Sequence, residues 1–174
     1  MRPNPVWAEA LQLVPVLVLA FPIIARGEVE LSSLGVAFGL AASLALAVAA
    51  GIRAAGHVLN PILVGTYVWL GLGALGFAIG VPALAEVLAE TQGFALFAVV
   101  GMVLLAFLPT ETGSIGARAE PAWVRRASLG LLAMAALALA WSWAFRHDVR
   151  LGGGLPFIVL NVVRRVAIAR QGRS

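Results

Sequence analysis

Between Leu31 and Ile52 the chain carries no charged side chain. A run that long matches the roughly 20 apolar residues needed to cross a bilayer. Similar runs follow one another almost without a break. They lie at 6–25, interrupted by Glu9, Gln12, Pro15 and Pro22, at 61–81, within 83–108, and at 127–145. In 83–108 the clean part starts only at Phe94, and the helix is placed at 88–108. Of the 174 residues, 61% are hydrophobic and 11% charged, and mean hydropathy is +0.99. A soluble domain is about half apolar and about a quarter charged, and a core of this size cannot hide so much apolar surface. Composition therefore excludes a soluble globular domain and a disordered tail.

The expected fold is all-α: one integral membrane domain over 1–174, a polytopic helical bundle. Strict alternation over about ten residues, the mark of a barrel strand, is missing, and the Ala- and Leu-rich runs favour helix. A sixth segment, Leu151–Val163, is short before Arg164 and Arg165. It reads either as a sixth crossing at 152–169, with both arginines snorkelling to the headgroups, or as an interfacial or re-entrant helix, leaving five.

Arginine placement favours six. With an inner N-terminus, nine arginines lie inside (Arg2, Arg53, Arg118, Arg125, Arg126, Arg164, Arg165, Arg170, Arg173) and three outside (Arg26, Arg146, Arg150). Dropping the last crossing moves four of them out and leaves five against seven, against the positive-inside rule. The expectation is a bacterial inner membrane protein with both termini cytoplasmic. The first run reads as an uncleaved helix, since no A-x-A site precedes Arg26.

Absent residue types restrict the chemistry. The chain has no cysteine, hence no thiolate metal site or cysteine nucleophile. It has no lysine, hence no Schiff base. Its +4 charge sits beside apolar segments, which points to anionic lipid headgroups and not to nucleic acid. Glu86 and Glu90 make an incomplete cation cage and read as a solvated outer loop. His57 and His147 fall on opposite faces, each at a helix end. Arg146-His147-Asp148 lacks the context of a kinase catalytic loop, and no serine lies in a G-x-S-x-G elbow. No catalytic, cofactor or metal site is expected, and a non-enzyme is the leading reading.

Two sets of residues stand out. Gly71, Gly73, Gly76 and Gly80 cluster in the third helix, and Gly35 and Gly39 in the second repeat the small-xxx-small spacing. Such residues serve close packing within the bundle or self-association. The second set is polar and lies within the membrane: Glu9 and Gln12 on one face of the first helix, and Asn161 in the last. Glu9, near Trp7, reads as a headgroup-level carboxylate, Gln12 as a donor to a neighbouring backbone, and Asn161 as an interhelical hydrogen bond or a ligand contact. Gly152-Gly153-Gly154-Leu155-Pro156 lacks the G-K-[ST] of a phosphate loop and reads as a turn into a helix.

The order of segments resembles the intracellular septation protein A family of small bacterial inner-membrane proteins. Leu11-Gln12-Leu13-Val14-Pro15-Val16-Leu17-Val18 is similar to its first helix, and Leu70-Gly71-Leu72-Gly73-Ala74-Leu75 to its glycine step. Arg150-x-x-Gly153-x-x-Pro156-Phe157 is similar to the stretch leading into its last helix. The family's lysine-containing stretch after the third helix is replaced here by Ala85–Gln92. The resemblance implies envelope maintenance or cell division through membrane partners. On residues alone, two functions compete, with an intramembrane enzyme acting on a quinone or lipid headgroup through interfacial arginines and glutamates ranked last. One is a factor or accessory subunit working through helix contacts with other membrane proteins or itself. The other is a small-solute transporter or channel subunit with a pocket lined by Gln12, Asn161, Tyr67 and Trp69.

Overall fold

The computed structural model describes residues 5–26, 31–80, 82–148 and 150–171, with side chains described outside 6, 21–26, 31–32, 82–90 and 92. Among them there are six α-helices and no strand. The helices are α1 (Val6–Arg26), α2 (Leu31–Ala54), α3 (Pro61–Ala78), α4 (Pro82–Phe107), α5 (Pro121–Ala144) and α6 (Leu155–Gln171). A π-helical turn, Arg150–Gly154, leads directly into α6. Four helical stretches are long and apolar enough to cross a membrane: Ser33–Ala54, Pro61–Ala78, Pro121–Ala144 and Arg150–Gln171.

Local chemistry accounts for the helix ends that hydropathy misplaces. The apolar run suggests 61–81, but α3 stops at Ala78. There Gly80 adopts φ +64°, and the N–H groups of Ile79 and Gly80 close back onto Leu75 O and Phe77 O, the usual stop for a helix. Helix α5 begins at Pro121, ahead of the expected 127. Proline at the first helical position lacks only a donor that would be orphaned anyway, and the arginines that end the apolar run do not end the helix. Helix α4 likewise starts at Pro82 instead of 88. The three glycines before Pro156 form the π turn, not a separate turn, so the last helical element begins at Arg150.

Short links make consecutive helices packed neighbours, and α1 also touches α3. One core forms where Ile62, Phe97, Val100, Leu104, Leu131 and Leu160 meet Ile115 of the α4–α5 loop. A second lies between α1, α2 and α3 around Leu19, Phe38, Ala41 and Leu70. The outward surface stays apolar: Leu46 is 74% exposed, and Val36 and Leu137 are each 64% exposed. An apolar exterior wrapped around an already filled core suits hydrocarbon, not water.

The glycines divide by what surrounds them. A Cβ on Gly73 would strike the Phe38 ring, and one on Gly35 would press on Phe77 at 3.3 Å. Both therefore sit at the α2–α3 contact. Gly76 is buried, Gly80 belongs to the turn, and Gly39 and Gly71 face open space. A close backbone approach between α3 and α4 falls at Gly65, which the spacing does not single out: its Cβ would lie 2.7 Å from Val100 Cα in α4. Backbone cannot yield there as a side chain would. Gly65→Ala is expected to destabilise by about 1–3 kcal/mol through overpacking and to lower the melting temperature in detergent, whereas Gly71→Ala leaves it unchanged. Fluorescence-detected thermal unfolding of the two variants checks the contrast.

Candidate functional site: a polar junction and an adjoining groove

The polar residues singled out in the sequence converge at one end of the bundle. Gln12 on α1 donates through Nε2 to Ala8 O of its own helix (3.0 Å), and its Oε1 accepts from the Asn60 N–H (2.8 Å). The expected donation to a neighbouring backbone is thus reversed: Gln12 accepts from the foreign backbone and donates to its own. Asn60 caps α3 by accepting the Ile62 N–H at 3.1 Å, and its Nδ2 donates to Asn161 Oδ1 at 3.0 Å. Asn161 passes the chain on to Phe157 O at 3.0 Å. The Tyr67 hydroxyl donates to Gln12 O. In a medium without water each of these groups must find a protein partner, and together they tie α1, α3 and α6.

Charge enters at the next turn. Arg164 is 2% exposed, a fully buried guanidinium. Its Nε donates to Ile115 O at 2.8 Å, its Nη2 to Gly116 O at 3.4 Å, and its Nη1 to Glu9 Oε1 at 3.4 Å. Arg165 Nε reaches the other Glu9 oxygen at 2.9 Å and stays 51% exposed. The expectation that both arginines snorkel therefore fails for Arg164. It points inward because Leu160 and Pro156, one and two turns back on the same face, are buried too. Glu9, expected as a headgroup-level carboxylate, lies between two guanidinium groups.

The loop that receives Arg164 is shaped for the purpose. Gly113 and Gly116 adopt φ +55° and +63°, a region other residues visit reluctantly. A Cβ at Gly116 would also strike Pro61. Ser114 donates to Leu104 O, and Ser128 on α5 accepts the Ile115 N–H at 3.2 Å. These bonds fix the loop so that two carbonyls face the guanidinium.

At the opposite end lie the residues of the C-terminal motif. Asp148 Oδ1 accepts the Arg150 and Leu151 N–H groups at 2.9 and 3.0 Å and so starts the π turn. Ser142 donates to Gly152 O, and a Cβ on Gly93 would lie 2.5 Å from that same oxygen. Gly153 passes over Gly93, and Pro156 is buried in the first turn of α6. His57 and His147 are separated in the same way. His57 lies at the Glu9 end, its ring edge-on to Trp7 at 5.3 Å, and His147 is exposed after α5. Trp69 packs edge-on to Phe38 at 5.0 Å, away from the junction. The side chains of Glu86 and Glu90 lie outside the described residues.

Beside the junction a groove of about 180 Å³ runs between α1, α3 and α6. Helix α6 packs on α5 and the π turn but meets α1 and α3 through polar side chains at one end, so its middle stands off from them. Among the described residues no group of three or more His, Asp or Glu side chains is placed to hold a metal ion. Sequence reasoning missed Asn60 and the inward Arg164. Asn60-Pro61 is a legible helix-start signal, and Pro156-Leu160-Arg164 at spacing four puts the arginine on the packed face. Comparison with protein-family models, curated proteins and solved structures finds no match.

Removing Glu9 leaves the Arg164 charge buried without its counter-charge. Glu9→Ala is expected to cost about 3–5 kcal/mol, the loss typical of a broken buried pair. Arg165→Ala should cost at most about 1 kcal/mol, because its side chain is half in solvent. Denaturant unfolding in mixed micelles separates the two, and equal losses would contradict this arrangement.

Proposed function

We propose that this chain is a six-crossing bacterial inner-membrane protein with both termini cytoplasmic, working without catalysis through contacts within the bilayer. It would serve as an accessory subunit of a membrane complex or as an envelope factor of the kind the septation-protein resemblance implies. One observation carries the reading: the polar side chains of the junction are consumed by one another, although the buried indole N–H of Trp69, away from it, has no partner among the described residues. Gln12, Asn60 and Asn161 are bonded to each other and to backbone, and Glu9 is held by two arginines. A closed network of this kind locks helices together and leaves little to bind or convert a solute.

The charge distribution supports the orientation. Arg53, Arg118, Arg125, Arg126, Arg164, Arg165 and Arg170 lie toward the Glu9 end, and Arg146 and Arg150 toward the other. A second reading, the small-solute carrier or channel subunit, draws on the groove between α1, α3 and α6. It is the weaker of the two, because the amides offered as its lining already have partners.

With no native cysteine, single-cysteine variants report orientation directly. Glu111→Cys and Arg170→Cys are expected to react with an impermeant maleimide only from the cytoplasmic side, and His147→Cys only from the other. Glu111→Cys and Arg170→Cys reacting from opposite sides would remove the sixth crossing. Purification from native membranes in mild detergent should bring a membrane protein down in fixed ratio. A partnerless chain that moves solute across liposomes, with flux lost in Gln12→Ala or Asn161→Ala, would replace this function with the carrier.

A further inference from the structure

Two helices running one way and a third running the other line the groove, yet all three order their side chains alike. On α1, Glu9 lies toward the junction end and Leu13 one turn deeper. On α3, Asn60 caps the helix at that end and Leu63 lies deeper. Helix α6 runs the opposite way, so Arg165 comes at the junction end, Val162 and Asn161 next, and Ile158 and Phe157 deepest. The amide of Asn161 is turned to Asn60, so each wall carries its polar groups toward the junction and hydrocarbon beyond them, and that is the profile of a lipid standing in its own leaflet.

Charge selects among lipids. Arg164 and Arg165 bring two positive charges and Glu9 one negative, leaving a net +1 at the mouth of the groove. Arg164 is buried and fully engaged. Arg165 is half exposed, and among the described residues only its Nε is held, by Glu9 at 2.9 Å. Its two Nη groups are free to meet a phosphate in the paired geometry arginine favours.

We propose that the groove between α1, α3 and α6 seats one anionic glycerophospholipid of the cytoplasmic leaflet. Its phosphodiester lies on Arg165, and one acyl chain runs over Leu13, Leu63 and Ile158. The proposal rests on the membrane reading above and gives the groove an occupant which that reading lacks.

The test is thermal unfolding and native mass spectrometry of the full-length protein in mild detergent, with dioleoyl phosphatidylglycerol, dioleoyl phosphatidylcholine or glycerol 3-phosphate added. Phosphatidylglycerol is expected to raise the melting temperature and to be retained as one molecule with about tenfold preference over phosphatidylcholine, on the scale of one charge-assisted contact. Arg165→Gln removes the charge, lowering the lipid-free melting temperature by no more than the small loss given above for Arg165→Ala, and Ile158→Trp fills the apolar part; measured against its own lipid-free value, each should lose the response. Arg125→Gln, an arginine away from the groove, should keep it. An equal response to both lipids, a response surviving in both groove variants, or one lost equally in Arg125→Gln would overturn the site. So would an equal shift from glycerol 3-phosphate, which would mean a soluble phosphate binds without the tail. Maleimide labelling is read independently, so loss of the lipid site and loss of the six-crossing orientation are told apart.

Discussion

The bundle is organised around one unfavourable object, the guanidinium of Arg164 at 2% exposure. Moving an arginine side chain out of water costs several kcal/mol even after relaxation, and a membrane interior makes escape to water harder. The surrounding features follow from that cost. A carboxylate must stand opposite, and Glu9 does. Two carbonyls must be turned toward it, and those of Ile115 and Gly116 are. A carbonyl pair can face sideways from a loop only where the backbone departs from the helical region, which the two positive-φ glycines of the α4–α5 loop permit. That loop must then be prevented from relaxing, and Ser114, Ser128 and the abutting Pro61 do so. Elements far apart in sequence are thus bound to one side chain.

The two ends of the molecule solve the same problem by different means. At the Glu9 end, long polar side chains reach across gaps between helices. At the far end, distances are short: the α5 hydroxyl of Ser142 bonds a carbonyl of the π turn, and glycine lies against glycine between α4 and that turn. Both avoid an orphaned backbone group where no water is available. Small residues achieve it by bringing backbones together; arginine and asparagine achieve it by spanning a distance. This explains why helix α6 is bound closely at its start and only through side chains further along.

The fold class was legible in hydropathy, because helices in lipid must be long, apolar and internally hydrogen-bonded. The positions of their ends were less so, since Gly80 and Pro121 act through backbone geometry that hydropathy does not register. Glu9, Gln12 and Asn161 were legible as unusual residues, but not as one junction, because their partners lie about 50 to 155 residues away in sequence. Arg164 and Arg165 look equivalent as adjacent letters. Only helix phase separates them: about 100° of rotation turns one to the core and the other outward. Gly65 escaped notice because a close approach depends on what faces a glycine, not on its spacing from other glycines.

Side-chain shape explains why a groove persists beside so tight a junction. Helices in lipid approach where small residues let backbones meet, as Gly65 does between α3 and α4. Toward the groove, the part of α6 beyond its π turn offers the branched side chains of Ile158 and Val162, and both are exposed. β-branched side chains are stiff at χ1 and hold a neighbouring helix at the length of the side chain. The junction brings α6 toward α1 and α3 at one end, the glycines bind it to α4 and α5 at the other, and its branched middle cannot close what remains. The opening between them is therefore a property of the sequence of α6, and narrowing it would require small residues where the chain has valine and isoleucine.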